Sequence, residues 1–437
     1  MKEAVILAGG LGTRLRPIIS NIPKPMAPVA GRPFLSWLLR YLHTQGLRRV
    51  ILSVGYQHDV ITQYFGQRWC GLDIAYAIEK APLGTGGGMA NALRSAMELE
   101  VLTLNGDTFL RLDYSRLQNV LRSHSESLLS VALRRVPSAE RFGCAEVADG
   151  IVRRFAANGR PGEAFINAGV YCVPSDLLAR FSMPERFSFE DEFLATKVHQ
   201  LLPAACISED LFIDIGVPDS YAEAQTLLPQ WTCLGQDLLW RDIRVARPDR
   251  PVPALFLDRD GVIIEEKNYL CDPNQVEILD GIPELICEAR RRGMLVIGVT
   301  NQAGIGRGKY QWASFVAVES RIDMELRARG AELDAVFACP YHEEGNGEYR
   351  VAEHPWRKPN PGMLLEAKTL LNVDLQRSLM VGDKTCDILA ARAAGLPRSV
   401  LLLTGLGRSH QSAVQALQSD GVEIFPNTAA LLTEWSK

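Results

Sequence analysis

The sequence predicts a two-domain α/β protein, and three observations carry that reading. Its 437 residues exceed what one ordinary core accommodates. Short apolar runs ending in glycine or aspartate recur through both halves, and a stretch rich in proline and arginine breaks the pattern near the middle. The runs are AVILAGG, VILSVGY and VLTLNGD early, then ALFLDRD, LVIGVTN and LMVGDK late. Continuous apolar runs of this kind suit strands buried on both faces of a parallel sheet. Amphipathic stretches such as Phe34 to Gln45 and Ile282 to Arg292 lie between them, so the repeating unit is strand then helix. The break, WTCLGQDLLWRDIRVARPDRPVP, spans residues 231–253. It reads as a proline-stiffened linker between a first domain over 1–230 and a second over 254–437, with its apolar part, Leu234 to Val245, able to pack on one of them.

Composition narrows the function classes. Hydrophobic residues make up 47% and charged residues 22%, the balance of a packed globular chain rather than a disordered or fibrous one. The formal net charge of -4 comes without a long run of either sign, so there is no footprint for nucleic acid or an anionic membrane surface. The nine cysteines are scattered, odd in number and never form C-x-x-C, which suits reduced thiols in the cytoplasm better than a disulfide framework. The opening MKEAVILAGG runs straight into a glycine-rich loop; it reads as a first strand and not a signal peptide, and no later segment is long enough to span a bilayer. Small-molecule substrates are the expected partners, with homo-oligomerisation left open.

The first strand delivers Leu7-Ala8-Gly9-Gly10-Leu11-Gly12-Thr13-Arg14. Glycines at 9, 10 and 12 let backbone N–H groups approach a phosphate, and Arg14 adds a cationic fork. This is a triphosphate cradle by its chemistry, although a glycine-rich turn alone also serves as a plain strand-to-helix connection. Asn21-Ile22-Pro23-Lys24-Pro25-Met26 then supplies a second cation.

GGLGTRLRP followed by PKPM resembles the sugar-1-phosphate nucleotidyltransferases. The likeness continues through Glu79-Lys80-Ala81-Pro82-Leu83-Gly84-Thr85-Gly86-Gly87, Asn105-Gly106-Asp107, Ile166-Asn167-Ala168-Gly169-Val170-Tyr171, Phe189-Glu190 and Asp214-Ile215-Gly216. It implies a Rossmann-like, GT-A-like mixed sheet over residues 1–230. It also implies Gly9, Gly10, Gly12, Thr13 and Arg14 on the triphosphate, Lys24 neutralising charge at the reacting phosphates, and Gly84 facing the base. Asp107 and Asp214 would hold magnesium, while Glu79, Asn167, Gly169 and Glu190 would line the sugar-phosphate pocket. Joining two phosphate anions requires such screening, and an in-line displacement depends on positioning more than on acid–base chemistry. As bare residues, Asp107 and Asp214 equally suit turns or caps. The three acids of FSFEDEF equally suit a solvated helix start.

The second half opens with Ala254-Leu255-Phe256-Leu257 running into Asp258-Arg259-Asp260-Gly261-Val262. Two carboxylates two residues apart past a buried strand can divide labour, one attacking phosphorus and the other moving a proton. A lone D-x-D is common in surface turns, so the pieces that follow matter: Val299-Thr300-Asn301, Arg357-Lys358-Pro359, and Val381-Gly382-Asp383 with Asp387. In this order they resemble the haloacid-dehalogenase-type phosphatases over residues 254 to about 405. The resemblance implies a HAD-like Rossmannoid parallel sheet without a large cap. Asp258 would be the nucleophile and Asp260 the general acid, then base. Thr300 and Lys358 would hold phosphoryl oxygens, and Asp258, Asp383 and the backbone carbonyl of Asp260 would bind magnesium. Asp387 would orient this group, or act as the N-cap of the following helix.

The finer likeness, through Thr300-Asn301-Gln302-Ala303-Gly304-Ile305-Gly306-Arg307-Gly308 and Arg357-Lys358-Pro359-Asn360-Pro361-Gly362-Met363, is to the heptose-1,7-bisphosphate 7-phosphatases and their histidinol-phosphatase relatives. It implies Asn301, Arg307 and Arg357 as substrate-binding residues, both arginines on the distal phosphate. One departure stands out. That branch commonly carries a zinc loop of C-P-H followed by C-x-C, whereas this chain has Cys339-Pro340-Tyr341-His342 and then Glu353-His354-Pro355-Trp356. Cys339, His342 and His354 offer three ligands for zinc and lack a fourth, so a metal-free, aromatic-packed loop is the favoured reading.

The first half looks closest to the mannose-type and D-glycero-D-manno-heptose 1-phosphate guanylyltransferases, so the two resemblances together imply a bifunctional, magnesium-dependent enzyme: heptose 1,7-bisphosphate loses its 7-phosphate, and the heptose 1-phosphate is coupled to GTP. The competing expectations are a hexose or amino-sugar nucleotidyltransferase joined to an unrelated phosphatase, and a regulatory protein with one inactive domain.

Overall fold

The computed structural model describes residues 1–10, 22–139, 143–156, 162–235, 237–245, 247–417 and 420–435. Two compact units divide the chain, Met1–Gln225 and Thr226–Lys437.

In the first unit the strand Glu3–Leu7 lies between Arg49–Val54 and Glu100–Asn105, parallel to both. Ala4, Val5 and Ile6 are wholly buried, as a strand covered on both faces requires. Leu72–Ile78 extends the parallel part, while Ala164–Pro174 and Ser130–Val136 add antiparallel strands on the other side. The sheet is therefore mixed, as the sequence predicts. Its core gathers Met89, Val131, Leu133, Tyr171, Phe189 and Phe193. A short antiparallel ribbon pairs Thr108–Leu110 with Phe212–Asp214, setting Asp214 opposite Thr108.

The second unit is built on a sheet in which Ala335–Cys339, Leu295–Asn301, Ala254–Leu257, Leu379–Gly382, Arg398–Leu402 and Val422–Phe425 run parallel in that spatial order. Ala254–Leu257 is central, with later strands on both sides, so Asp258 leaves the carboxyl end of the sheet where the strand order reverses. Open α/β sheets bind ligands at that crevice. Between Leu257 and Ile282 the described chain makes only short turns, and no folded cap is inserted there.

The apolar part of the proline-rich stretch carries one further strand. Trp240–Ile243 is an antiparallel edge strand beside Ala335–Cys339, inside the second unit. Alternation explains it: Trp240 and Asp242 point inward and are buried. Trp240 stacks on Trp312 with ring centroids 5.5 Å apart, and Asp242 Oδ2 accepts a 3.0 Å hydrogen bond from Arg244. No described helix is long and apolar enough to cross a membrane.

Candidate active sites

In the first unit two cavities share Asn105 as a wall. One, of about 310 Å³, is lined by Gly9, Gly10, Lys24, Glu79, Gly84 and Asp107. The other, of about 370 Å³, is lined by Asn167, Gly169, Tyr171 and Glu190. Gly12, Thr13 and Arg14 lie outside the described residues.

Lys24 begins the short helical turn Lys24–Met26, with Pro23 and Pro25 on either side of it. Its ammonium is 2.6 Å from Asp107 Oδ2 and 3.5 Å from Asp214 Oδ1. The ribbon described above delivers both acids, and Ile215 N donates to Asp107 O at 3.1 Å. Lys24, Asp107 and Asp214 thus form one cluster beside the glycine loop.

Glu190 stands in the first turn of the helical element Phe189–Leu194 and lines the second cavity. Its Oε2 accepts a 2.7 Å bond from Thr85 Oγ1, and its Oε1 lies 3.4 Å from Tyr171 OH and 3.5 Å from Asn105 Nδ2. The neighbouring acids and Ser188 cap the same turn: Ser188 N donates to Glu192 Oε2 at 2.7 Å and Asp191 N to Ser188 Oγ at 3.1 Å. Asn167 donates to Tyr171 OH at 2.9 Å and accepts from Gly169 N at 3.0 Å. Gly169 has φ +69°, and a Cβ there would stand 2.6 Å from Asn105 Nδ2. Glu79 falls in the first cavity with the glycine loop and not among the residues of the second. Its carboxylate accepts from Ser53 Oγ at 3.0 Å and from Leu83 N at 3.1 Å, so it anchors the turn before Gly84. Sequence reasoning missed Thr85, although it stands inside the motif that supplied Gly84.

In the second unit a cavity of about 360 Å³ is walled by Asp258, Asp260, Thr300, Asn301, Arg357 and Lys358. The Lys358 ammonium is 2.9 Å from Asp258 Oδ1 and 2.6 Å from Asp387 Oδ1, and donates to Val299 O at 2.8 Å. Asn301 fixes that lysine's backbone from both sides, donating to Lys358 O at 2.9 Å and accepting from Lys358 N at 3.0 Å. Asp387 is the third residue of the helical start rather than its N-cap. Its Oδ2 accepts from Lys384 N at 3.0 Å, so one carboxylate both caps the helix and orients Lys358. Arg357 lines the cavity, whereas the Arg307 guanidinium pairs with Glu344 at 2.6 Å and donates to Tyr269 OH at 2.7 Å.

Lys384 was not anticipated. Its ammonium lies 3.2 Å from Asp383 Oδ1, 3.5 Å from Asp260 O, 3.9 Å from Asp258 Oδ2 and 3.0 Å from Glu266. Its position directly after Asp383 was the available signal. Burial raises the Asp258 carboxyl's pKa, but Lys358 and Lys384 more than reverse that and hold it below the usual carboxylate range. Burial and then the Asp258 charge push Asp383 up to about 7. Among the described residues Asp383 Oδ1 accepts no well-aligned hydrogen bond and meets only the Lys384 ammonium, and ligand atoms of Asp258, Asp383 and Asp387 lie within 4.8 Å of one another. Gly261, at φ +87°, leaves room for the other oxygen, since a Cβ would stand 2.2 Å from Asp383 Oδ2. Oxygen donors crowded in this way fit a hard divalent cation.

The Cys339 to His354 loop is built differently. Cys339 Sγ is 3.9 Å from His354 Nδ1, which accepts from Trp356 N, and His342 Nδ1 accepts from Glu344 N. Tyr341 stacks on His354 at 4.0 Å.

Residues 3–230 match the Nucleotidyl transferase family model, and residues 355–427 match the HAD-hydrolase-like model. D-glycero-alpha-D-manno-heptose 1-phosphate guanylyltransferase of Aneurinibacillus thermoaerophilus is 42% identical over 231 residues, covering 52% of this chain and 99% of the relative. D-glycero-beta-D-manno-heptose-1,7-bisphosphate 7-phosphatase of Mesorhizobium japonicum is 48% identical over 151 residues, covering 35% of this chain and 70% of the relative. The phosphatase of the same name from Vibrio cholerae is 39% identical over 177 residues, 40% of this chain and 95% of the relative. The chain therefore belongs to the nucleotidyl transferase family through its first unit and to the HAD-like phosphatases through its second, a bifunctional enzyme on one polypeptide.

Proposed function

We propose that the second unit removes the 7-phosphate of D-glycero-D-manno-heptose 1,7-bisphosphate and that the first couples the resulting heptose 1-phosphate to GTP, giving GDP-heptose and pyrophosphate. The observation that carries this reading is the pairing of relatives: one half resembles an enzyme named for the 1-phosphate, the other an enzyme named for the 1,7-bisphosphate of the same sugar series. The relatives' names differ in anomer. Hydrolysis at C7 leaves the anomeric phosphate untouched, so one anomer has to serve both sites, and we take it to be α.

In the phosphatase reaction a carboxylate oxygen of Asp258 attacks phosphorus while Asp260 protonates the departing C7 oxygen. The same Asp260 then takes a proton from the water that splits the aspartyl-phosphate, restoring Asp258 and releasing phosphate. Thr300 and Lys358 hold the phosphoryl oxygens, Asn301 fixes Lys358, and Arg357 meets the distal phosphate, with Arg307 beyond it. Asp258, Asp383 and the carbonyl of Asp260 would hold Mg2+, which when bound supplies positive charge to the phosphoryl group.

In the transferase reaction Gly9, Gly10 and Gly84 receive the nucleotide, together with Gly12, Thr13 and Arg14 by family likeness. Asn167, Gly169 and Glu190 orient the sugar phosphate, whose oxygen attacks the α-phosphorus. Lys24 offsets charge there, and Asp107 and Asp214 would hold a second Mg2+. The Cys339 to His354 loop works without zinc, supported by imidazole nitrogens already engaged by backbone N–H groups. The nine scattered cysteines, read as reduced thiols, support a cytoplasmic enzyme.

The test supplies purified full-length chain with each anomer of heptose 1,7-bisphosphate, Mg2+ and each nucleoside triphosphate in turn. Phosphate release from the α-anomer followed by GDP-heptose is the expected result. A different nucleotide-sugar, or no phosphate release, overturns the assignment.

A further inference from the structure

Arg259, the residue between the two carboxylates, is 3% exposed and engages three partners. Its guanidinium meets Asp260 at 2.9 to 3.2 Å, donates to Gln302 Oε1 at 3.1 Å and donates to Glu319 Oε1 at 3.1 Å. Gln302 completes a bracket: its Nε2 donates to Asp260 Oδ2 at 2.9 Å and to Thr300 Oγ1 at 2.8 Å, while Tyr310 OH donates to its Oε1. Asp260 is thereby gripped by Arg259 and Gln302 together.

Glu319 has no part in the reaction as described, yet it is a carboxylate 2% exposed in the helix Trp312–Ala328. Burying such a charge is costly, and a buried ion pair adds little stability over apolar packing of the same volume. Its position explains it better. Glu319 holds Nη1 of Arg259, the end of the fork that does not touch Asp260. A planar guanidinium held at both ends has one orientation. Arg244 and Asp323 also face Glu319, and Arg244 pairs in turn with Asp323 and with Asp242 of the edge strand. Fixed charges thus run from the edge strand to the proton-transferring carboxyl.

We propose that Glu319 is a positioning residue of the phosphatase, acting through Arg259 to aim the Asp260 carboxyl at the oxygen that leaves phosphorus. This rests on the phosphatase reading above, though not on which sugar is the substrate.

The leaving group separates aim from structure. An alkoxide leaving from a sugar phosphate must receive the Asp260 proton as its P–O bond breaks and the Asp258–P bond forms. p-Nitrophenolate leaves without one. kcat/KM reports events up to that departure, so it isolates this step from hydrolysis of the aspartyl-phosphate. Glu319→Met should lower kcat/KM for the sugar phosphate by roughly 30-fold or more, part of the ~100-fold or greater contribution of a well-placed general acid. It should leave kcat/KM for p-nitrophenyl phosphate nearly unchanged. Glu319→Gln, which keeps an acceptor for Nη1, should recover most of the loss. Equal losses on both substrates, or no loss on either, overturn the proposal. The ratio holds for any alkyl phosphate the wild-type chain hydrolyses, so failure of heptose bisphosphate as a wild-type substrate refutes only the sugar assignment.

Discussion

Replacing Lys358 with methionine removes the one ammonium that touches both Asp258 and Asp387, at 2.9 and 2.6 Å, while keeping most of the side chain's bulk. Among the described residues, the three carboxylates within 4.8 Å of one another would then face Lys384, which lies 3.2 Å from Asp383 and 3.9 Å from Asp258. At an effective dielectric of about 20, two unit negative charges 4.8 Å apart repel by roughly 3.5 kcal/mol. Stripping one partner from a buried pair costs about 3–5 kcal/mol by general experience, in agreement. For a unit of this size each kcal/mol moves Tm by about 2–4 °C, so the second unit should melt roughly 6–20 °C lower. The assay is calorimetry of the full chain in EDTA at about pH 8, the second unit's transition being identified as the one that Trp240→Ala moves. Added Mg2+ should narrow the gap by restoring positive charge among the carboxylates. The pH dependence has a definite sign. Burial already holds Asp387 above its ordinary value, and losing Lys358 raises it further. The folded state then keeps protons the unfolded chain releases, so stability falls as pH rises and the deficit should be smaller at about pH 5.5 than at pH 8. A melt in EDTA unmoved by the substitution would refute the claim that Lys358 holds these carboxylates together.

Asp258→Asn should abolish phosphate release from the sugar bisphosphate while leaving nucleotide transfer from supplied heptose 1-phosphate intact; joint loss in a coupled-product assay would contradict separate active sites. Trp240→Ala should destabilise the second unit by about 3–5 kcal/mol, the usual cost of emptying a buried tryptophan site, read as a shift of one calorimetric transition. A variant melting like wild type would return residues 231–253 to the status of a linker. Burial pushes the Cys172 and Cys339 thiols up to about 12, so at about pH 8 iodoacetamide should label the exposed Cys271 and Cys287 first. Mass mapping that finds Cys339 modified as early would argue against its buried setting.

The features legible in the sequence were those written in contiguous residues. Buried strands announce themselves as apolar runs, and Asp258, Asp383 and Lys358 each stand at the end of one or in a basic motif, so both sheets and the phosphatase centre were accessible. Glu319 and Glu266 were not: an acid in a helix or turn carries no spacing signal, and only tertiary packing brings it to Arg259 or Lys384. Trp240–Ile243 was hidden by its brevity and by the prolines that follow, which outweighed an alternation only four residues long. Motif likeness placed Glu79 with the sugar and Arg307 on the distal phosphate. In the structure Glu79 accepts from Leu83 N and Arg307 pairs with Glu344, partners that no motif specifies because a motif fixes residue identity and leaves the side chain's contacts to its neighbours.

The edge strand bears on how this chain can be divided. Ala335–Cys339 is wholly buried, and on one side its backbone partner is Trp240–Ile243. A phosphatase fragment begun at Pro253, after the proline-rich stretch, would lay that strand open along its length. Unpaired apolar edges invite pairing between chains. Such a fragment should precipitate or associate, while one begun at Thr226 carries its own guard; the soluble unit is thus defined by which strand closes the sheet, and not by where the prolines fall.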